Sequence, residues 1–344
     1  MAQEVSAFEQ YLESARLLVL DELRNALPDD SDATGGLYEL MLDYPLRGGK
    51  GLRPALCIAT CRGLGGSLNA VINSAMVLEL YHNAFLIHDD VEDGSELRRN
   101  ETTLHEAYGT GIAMNVGDGM LAIGMKQLLQ NLETQGVGNA IRSFDVVVRM
   151  SQETAEGQMM ELRWIQSSEW QTNVQSYIKM VYKKTAWYSF IAPMLMGSVA
   201  ASQPEDDMRK LHNFGAALGI AFQIQDDLLN LGASAGYGKE AAGDLWEGKH
   251  TLMLIESMQR ATTAERTRAI DILRKTRENK TPEEVDFLRS LIDGYDGLGY
   301  AKEIAARYVR RAERQFDQLA QNWPHSVHRQ FIQDLVSYVI ARQK

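Results

Sequence analysis

The chain has 344 residues, 45% of them hydrophobic and 24% charged, with a formal charge of −11 at neutral pH. That balance is globular and leaves no basic field to attract nucleic acid or anionic lipid. The two cysteines, Cys57 and Cys61, stand four apart in an apolar stretch with no histidine companion. They exclude a disulfide framework, argue poorly for zinc, and read as packing in a reducing compartment.

Nearly every long segment carries the 3.6-residue period, and convincing period-2 alternation is absent. Residues 5–26 and 37–44 read as amphipathic helices around a loop at 28–36. The N-terminal stretch lacks a basic region before an uninterrupted apolar core, so it does not read as a secretory signal. Gly48-Gly49-Lys50-Gly51 is a loop, and Pro54 suits the first turn of a helix reaching about Arg62. Residues 63–67 break it and a strongly apolar helix follows. Further helices are expected at 112–133, 140–165, 169–184, 187–201 and 206–231, and a Gly-rich loop at 233–248. Helices at 251–261, 264–277, 282–292, 298–319 and 325–341 finish the chain. The weakly charged stretch 189–202 contains Pro193 and Gly197 and is too short to span a bilayer. With no linker or repeat, and several helices apolar almost all round, the expectation is one all-α domain over residues 1–344, soluble and cytoplasmic.

The chemistry concentrates at residues 75–99, AMVLELYHNAFLIHDDVEDGSELRR. An apolar helix runs into Asp89, Asp90, Glu92 and Asp93. Asp89 and Asp93 share a helical face with Asp90 beside them. The C-terminal end of a helix is itself negative, so this much acid is costly unless something strongly positive sits there. A magnesium ion carrying phosphate oxygens fits, since magnesium prefers one or two carboxylates plus substrate phosphates. Residues 215–231, GAALGIAFQIQDDLLNL, repeat the pattern with Asp226, Asp227 and Asn230. Lys50, Arg53, Arg98, Arg99, Lys184, Lys239 and Lys249 lie mostly at helix ends or in Gly-rich loops beside these runs. Arginine forks hold phosphate bidentately and lysines supply mobile point charges. Acid, metal and base together read as a diphosphate site.

Other motifs fail. DDVEDGSELRRN begins like an EF-hand loop but has Val91 at the third position and Asn100 at the twelfth, where a bidentate Glu is needed. Neither Gly238-Lys239 nor Gly248-Lys249 is followed by Ser or Thr, and no G-x-S-x-G elbow is present.

On these residues the chain resembles the trans-isoprenyl diphosphate synthases, the polyprenyl synthetases of the all-α terpenoid-synthase fold, most like the short-chain geranylgeranyl and farnesyl diphosphate synthases. GGKGLRP is similar to the family's isopentenyl diphosphate loop, DDVED to its first aspartate-rich motif, and FQIQDDLLN to its second. Three departures stand out: Asn230 where Asp is common, Asn100 and Thr102 where Gly and Pro are commoner, and Gly51 where a basic residue is usual. The resemblance implies three magnesium ions held between Asp89, Asp90, Asp93, Asp226, Asp227, Asn230 and an allylic diphosphate. It assigns Arg98, Lys184, Lys239 and Lys249 to the leaving group, and Thr185 and Gln223 to the allylic cation. Lys50, Arg53, His82 and Arg99 would hold isopentenyl diphosphate, and the active form would be a homodimer. The growing tail should run down the apolar helix away from Asp89 and meet Phe85 and Tyr81, with small Ala84 between. That floor implies a product of about fifteen to twenty carbons, leaning to geranylgeranyl diphosphate. A class I terpene cyclase and a non-catalytic subunit of a heteromeric synthase are the alternatives. The second diphosphate site argues against the first, and the nearly intact aspartate motifs against the second.

Overall fold

The structure, a computed structural model, describes residues 6–29, 34–167, 170–232 and 242–341. The described residues gather into two compact units, one formed by Met1–Met150, Tyr188–Asn213 and Phe316–Leu335, the other by Ser151–Trp187, Phe214–Gln315 and Val336–Lys344. Both are built from helices, as the periodicity requires.

In the first unit α1 (Ala7–Ala26) begins at a capping box, with Ser6 and Glu9 each accepting from the other's backbone N–H. α2 (Leu37–Leu46) carries Pro45 one residue from its end. α3 (Leu52–Gly63) starts without a side-chain cap, because Gly51 enters it in the left-handed region at φ 60°. A Cβ at Gly51 would lie 2.8 Å from Cβ of Arg16. The departure at this position thus has a steric reason: the stem of Arg16 occupies the room a basic side chain would need. α4 (Leu68–Asp93) is the centre of this unit and packs against α1, α3, α6 (Thr110–Leu128) and α9 (Ala192–Ala200). α4 is also long and apolar enough to cross a membrane, but most of its apolar window is buried in these contacts, as in a core helix.

Between α4 and α6 the chain makes a two-residue hairpin, β1 (Leu97–Arg98) with β2 (Glu101–Thr102), and then the short α5 (Leu104–Tyr108). Nothing in the periodicity announces the hairpin, since strands this short have no period to read. Its tip, Arg99-Asn100, has φ of 56° and 65°. Two successive positive φ angles are what a twist-matched two-residue turn demands, and asparagine tolerates that region well. Asn100 therefore does the backbone work of the glycine usual in the family.

α7 (Asn131–Gln166) runs through a non-helical Gly136 (φ 75°, ψ 164°) and continues into the second unit. Two helices were expected here, and the break falls at Gly136. α8 (Val174–Val181) starts at an Asn173–Ser176 capping box. The break expected between residues 184 and 187 is instead a π-helix, Tyr182–Ile191. Gly157 of α7 explains how a helix can lie so near: a Cβ there would meet the backbone nitrogen of Lys184 at 2.3 Å. α10 (Glu205–Gly232) carries the second acidic motif, and the expected Gly-rich loop contains the short α11 (Gly243–Glu247). α12 (Leu252–Arg260), α13 (Thr263–Leu273) and α14 (Pro282–Gly294) follow, the last two from capping boxes at Thr262 and Thr281. α15 (Gly297–Ala320) and α16 (Val327–Ala341) close the chain. The second unit's core joins Tyr177, Ile220, Ile224 and Leu228 to apolar residues of α12–α15. Cys57 and Cys61 are buried free thiols, and burial pushes Cys61 up to about 12, which makes it inert.

His250 follows α11 and lies against two tryptophans, its ring centroid 4.1 Å from Trp170 and 6.1 Å from Trp164, with Thr172 Oγ1 3.1 Å from Nδ1. Burial lowers its pKa to about 4. As pH falls through 6.5 the unfolded chain takes up a proton that the folded chain refuses until about 4. Stability is then complete above 6.5 and lost below it, by about 3 kcal/mol at most. Chemical denaturation at pH 7 and pH 5 should show a smaller pH-dependent loss for His250→Phe than for the parent. An identical loss would contradict this account.

Candidate active site

The first acidic motif divides in two. Asp89 and Asp93 lie a turn apart on a half-buried face of α4, whereas Asp90 points inward and is 0% exposed. Its carboxylate is taken by the guanidinium of Arg98, with Nε at 2.9 and 3.2 Å from the two oxygens and Nη2 closing the fork. Tyr44 of α2 donates its hydroxyl to Oδ2 at 2.7 Å, and that hydroxyl accepts from the Leu104 N–H at 3.3 Å. Burial and the neighbouring Asp90 push the Tyr44 phenol up, so it stays a donor. Burial works against the charge of Arg98, but Asp90 outweighs it and holds the guanidinium protonated. A buried carboxylate is tolerated only when paired and hydrogen-bonded, and this one is both.

Tyr44 was not singled out from the sequence, yet it organises this corner. Its carbonyl accepts from Arg99 Nη1 at 2.7 Å, and its ring lies 4.7 Å below the guanidinium of Arg47, which reaches the carbonyls of Arg98 and Glu101. Gly49 leaves room for Arg99, since a Cβ there would lie 2.7 Å from Nη2. The GGKG loop and the hairpin tip are therefore fitted to each other, and the positive φ of Arg99 is held by this packing.

Arg53, His82, Arg98 and Arg99 form one cationic cluster in this unit. Burial, then the Arg53, Arg99 and Arg98 charges, hold the His82 imidazole well below its usual range, and burial lowers Arg99. Arg53 stacks 4.4 Å over the Tyr188 ring and donates to Ser189 Oγ at 2.8 Å. Arg53 Nε and His82 Nδ1 are buried without a hydrogen-bond partner. Two buried nitrogens without a protein partner, set among the Arg53, Arg98 and Arg99 charges, fit an anion bound beside them.

The expected chain-length residues cluster here too. Tyr81 lies edge-on to Phe85 with centroids 6.0 Å apart, and Phe85 edge-on to Tyr188 at 5.7 Å, while Ala84 is buried beside them. Tyr188, on the π-helix, is an aromatic wall that sequence spacing did not reveal.

The second unit repeats the division. Asp226 is half-buried, while Asp227 turns inward and accepts from Tyr177 at 2.6 Å and from Gln223 Nε2 at 2.8 Å. Gln223 in turn accepts from Thr185 at 2.8 Å. Burial, with Asp244 nearby, pushes the Asp227 carboxyl well up. Asn230 uses its side-chain oxygen on the Asp244 N–H at 3.1 Å, at the start of α11. Lys184 is paired with Glu161 of α7, and its neighbour Lys183 with Glu153 and Glu156. Lys249 pairs with Glu247 at 2.6 Å. Lys50 lies in the GGKG loop, and Lys239 falls outside the described residues.

The carboxylates suit a hard cation, but among the described residues no three His, Cys, Asp or Glu side chains converge to hold one unaided. Asp89 and Asp93, a turn apart on α4, are carboxylates of the kind magnesium uses with phosphate. Asp90, Asp227 and Asn230, all expected as ligands, have oxygens engaged within the protein.

Because Tyr44 serves a charged acceptor, Tyr44→Phe should lower stability by about 2 kcal/mol. Asp90→Ala, which strands the buried Arg98, should cost about 3–5 kcal/mol. Urea unfolding of both variants measures the difference, and equal midpoints for Tyr44→Phe and the parent would refute the Tyr44 role.

Residues 36–292 match the polyprenyl synthetase family. The short chain isoprenyl diphosphate synthase of Methanothermobacter thermautotrophicus is 29% identical over 297 residues, 86% of this chain and 87% of that one. The geranylgeranyl diphosphate synthase of Sulfolobus acidocaldarius is 28% identical over 343 residues, covering 99% and 100%. The crystal structure of geranylgeranyl pyrophosphate synthetase from Pyrococcus horikoshii superimposes with a TM-score of 0.86 at 27% identity, over 98% of both chains. The all-α fold, the two acidic helices and a match over most of the chain agree: this protein belongs to the polyprenyl synthetase family and is a trans-prenyltransferase.

Proposed function

We propose that the protein condenses isopentenyl diphosphate with an allylic diphosphate and releases a short-chain product, geranylgeranyl diphosphate in the first instance. The observation that carries this reading is the cationic cluster of the first unit, with its orphaned Arg53 Nε and His82 Nδ1, close in sequence and fold to the Asp89–Asp93 face. Lys50, Arg53, His82 and Arg99 bind the diphosphate of isopentenyl diphosphate. Held neutral, His82 donates one hydrogen bond and adds no charge. Asp89 and Asp93 of α4, and Asp226 of α10, would each offer carboxylate oxygens to magnesium carrying the allylic diphosphate, in the three-ion complement typical of the family. Bound there, magnesium supplies positive charge to a leaving diphosphate.

The protein's own groups do the rest. Arg98, fixed by Asp90 and Tyr44, presents a guanidinium that cannot swing away. Lys184, Lys239 and Lys249 add mobile charge as the carbon–oxygen bond breaks, stabilising the charge that develops on the leaving group. Lys184 must exchange Glu161 for phosphate to do so. The Thr185–Gln223–Asp227–Tyr177 chain of hydrogen bonds fixes the Gln223 amide, and Thr185 and Gln223 serve the allylic cation. The tail runs along α4 toward Phe85 and Tyr81, whose aromatic bulk favours a short product. The family match runs through both compact units, which supports treating residues 1–344 as one catalytic domain. The buried free thiols support a cytoplasmic location.

The active form is a homodimer. Val137, Ile141, Phe144 and Val148 make an exposed apolar stripe on α7, and Met125, Leu129 and Leu132 are exposed just before it. A single chain rarely leaves so much contiguous apolar surface in water. Light scattering should find a dimer, and the double variant Ile141→Glu, Phe144→Glu should be monomeric. A monomeric parent, or an unaffected dimer, would remove this part of the proposal.

Incubation with magnesium, isopentenyl diphosphate and each allylic primer in turn should give elongated prenyl diphosphates by mass. Chelation should abolish turnover, and Asp89→Asn should lower kcat by about 10²–10³. A cyclic hydrocarbon from the longest primer would mean a cyclase. No product from folded protein would mean a subunit that needs another chain.

A further inference from the structure

The seam that α4 makes with α6 and then with the start of α7 changes character along its length. Near the catalytic end Tyr81 lies over Gly124, where a Cβ would come within 2.7 Å of the ring and 3.8 Å of Val77 Cγ1. Val77 and Leu128 below it are buried and apolar. One turn further the seam becomes polar. Asn73 Nδ2 donates to Asn131 Oδ1 at 3.0 Å and to the Gln127 carbonyl at 2.7 Å. Asn131 Nδ2 and Gln135 Nε2 both donate to Ser74 Oγ at 3.1 Å, and Gln135 also to the Ala70 carbonyl at 2.7 Å. Ser143 completes the layer by donating to Gln135 Oε1 at 2.9 Å. Ser74, Asn131 and Ser143 are all 0% exposed. The non-helical Gly136 lets α7 turn beside this layer, next to Gln135.

We propose that this layer is a second, polar stop to product growth, centred on Ser74, Asn131 and Gln135. It rests on the reading that the tail runs down α4 from Asp89. At 1.5 Å per residue Tyr81 lies about 12 Å, and Ser74 about 22 Å, along the helix from Asp89. A growing tail passing Tyr81 would cross Val77 and then face amides whose hydrogen bonds are already made. Hydrocarbon offers them nothing in exchange, so advancing past the layer means burying orphaned donors. Tyr81 and Phe85 stop the tail by bulk, and the layer stops it by polarity. The first can be removed by truncation, whereas the second would persist.

The test compares Tyr81→Ala, Phe85→Ala with the same pair carrying Ser74→Ala and Asn131→Leu. These two additions leave Asn73 and Gln135 each a backbone carbonyl to donate to, so the layer is opened without orphaning its ends. Products formed from isopentenyl diphosphate and an allylic primer are sized by mass. The first variant should lengthen the product up to a sharp limit, and the second should move that limit by at least one five-carbon unit. An identical limit in both would overturn the polar stop. No lengthening in the first would overturn the tail path itself and the stop with it. Should the fourfold variant fail to fold, Asn131→Leu alone in the first background removes an amide while Asn73 keeps the Gln127 carbonyl and Gln135 the Ala70 carbonyl, and is read the same way.

Discussion

Adjacent carboxylates at the end of an apolar helix repel each other and the helix's own dipole, and the architecture answers this by burying one of each pair. Asp90 goes inward to the Arg98 fork and the Tyr44 hydroxyl, and Asp227 inward to Tyr177 and Gln223. What remains on the half-buried side is Asp89 with Asp93 in one helix and Asp226 in the other. The inward member of each pair is a tether. It ties α4 to α2 and the hairpin, and α10 to α8 and the π-helix, through a tyrosine in both cases.

The same economy governs the cations. Arg98 and Arg99 are neighbours on a tight turn with opposite duties, one locked against Asp90 and the other laid across Gly49 toward the GGKG loop. Lys184 and Lys249 are parked on glutamates. Positive charge gathered for a diphosphate must be kept from unfolding the protein before substrate arrives, and each of these pairings does that. Where no acid is supplied, at Arg53 and His82, the structure retains buried donors without partners. Buried donors of this kind are places where an incoming anion finds hydrogen bonds ready to be made.

Much of this was legible in the chain itself. Helical periodicity located nearly every long helix, and the spacing of Asp89 with Asp93 put both on one face. Of the cations the resemblance named, Arg53, Arg98 and Arg99 lie together around His82. Three things were not legible. The hairpin at Leu97–Thr102 is too short to show a period, and only the paired φ angles of Arg99 and Asn100 reveal it. The π-helix over Tyr182–Ile191 has no composition of its own; its one sequence trace is Gly157, far away in the chain. The different fates of Asp89 and Asp90 depend on Tyr44, which no local pattern connects to either. Asn230 is similar: as a motif position it reads as a ligand, yet its oxygen is spent on α11.

If the outward carboxylates alone do not complete a metal site, magnesium should arrive with the diphosphate and not before it. Calorimetric titration of magnesium into the protein, with and without inorganic pyrophosphate, measures this directly. The account predicts weak, unsaturated heats for the protein alone and a saturable binding event once pyrophosphate is present. Saturable magnesium binding of the same affinity without pyrophosphate would contradict it, and would mean that Asp90 or Asp227 gives up its buried partners to become a ligand.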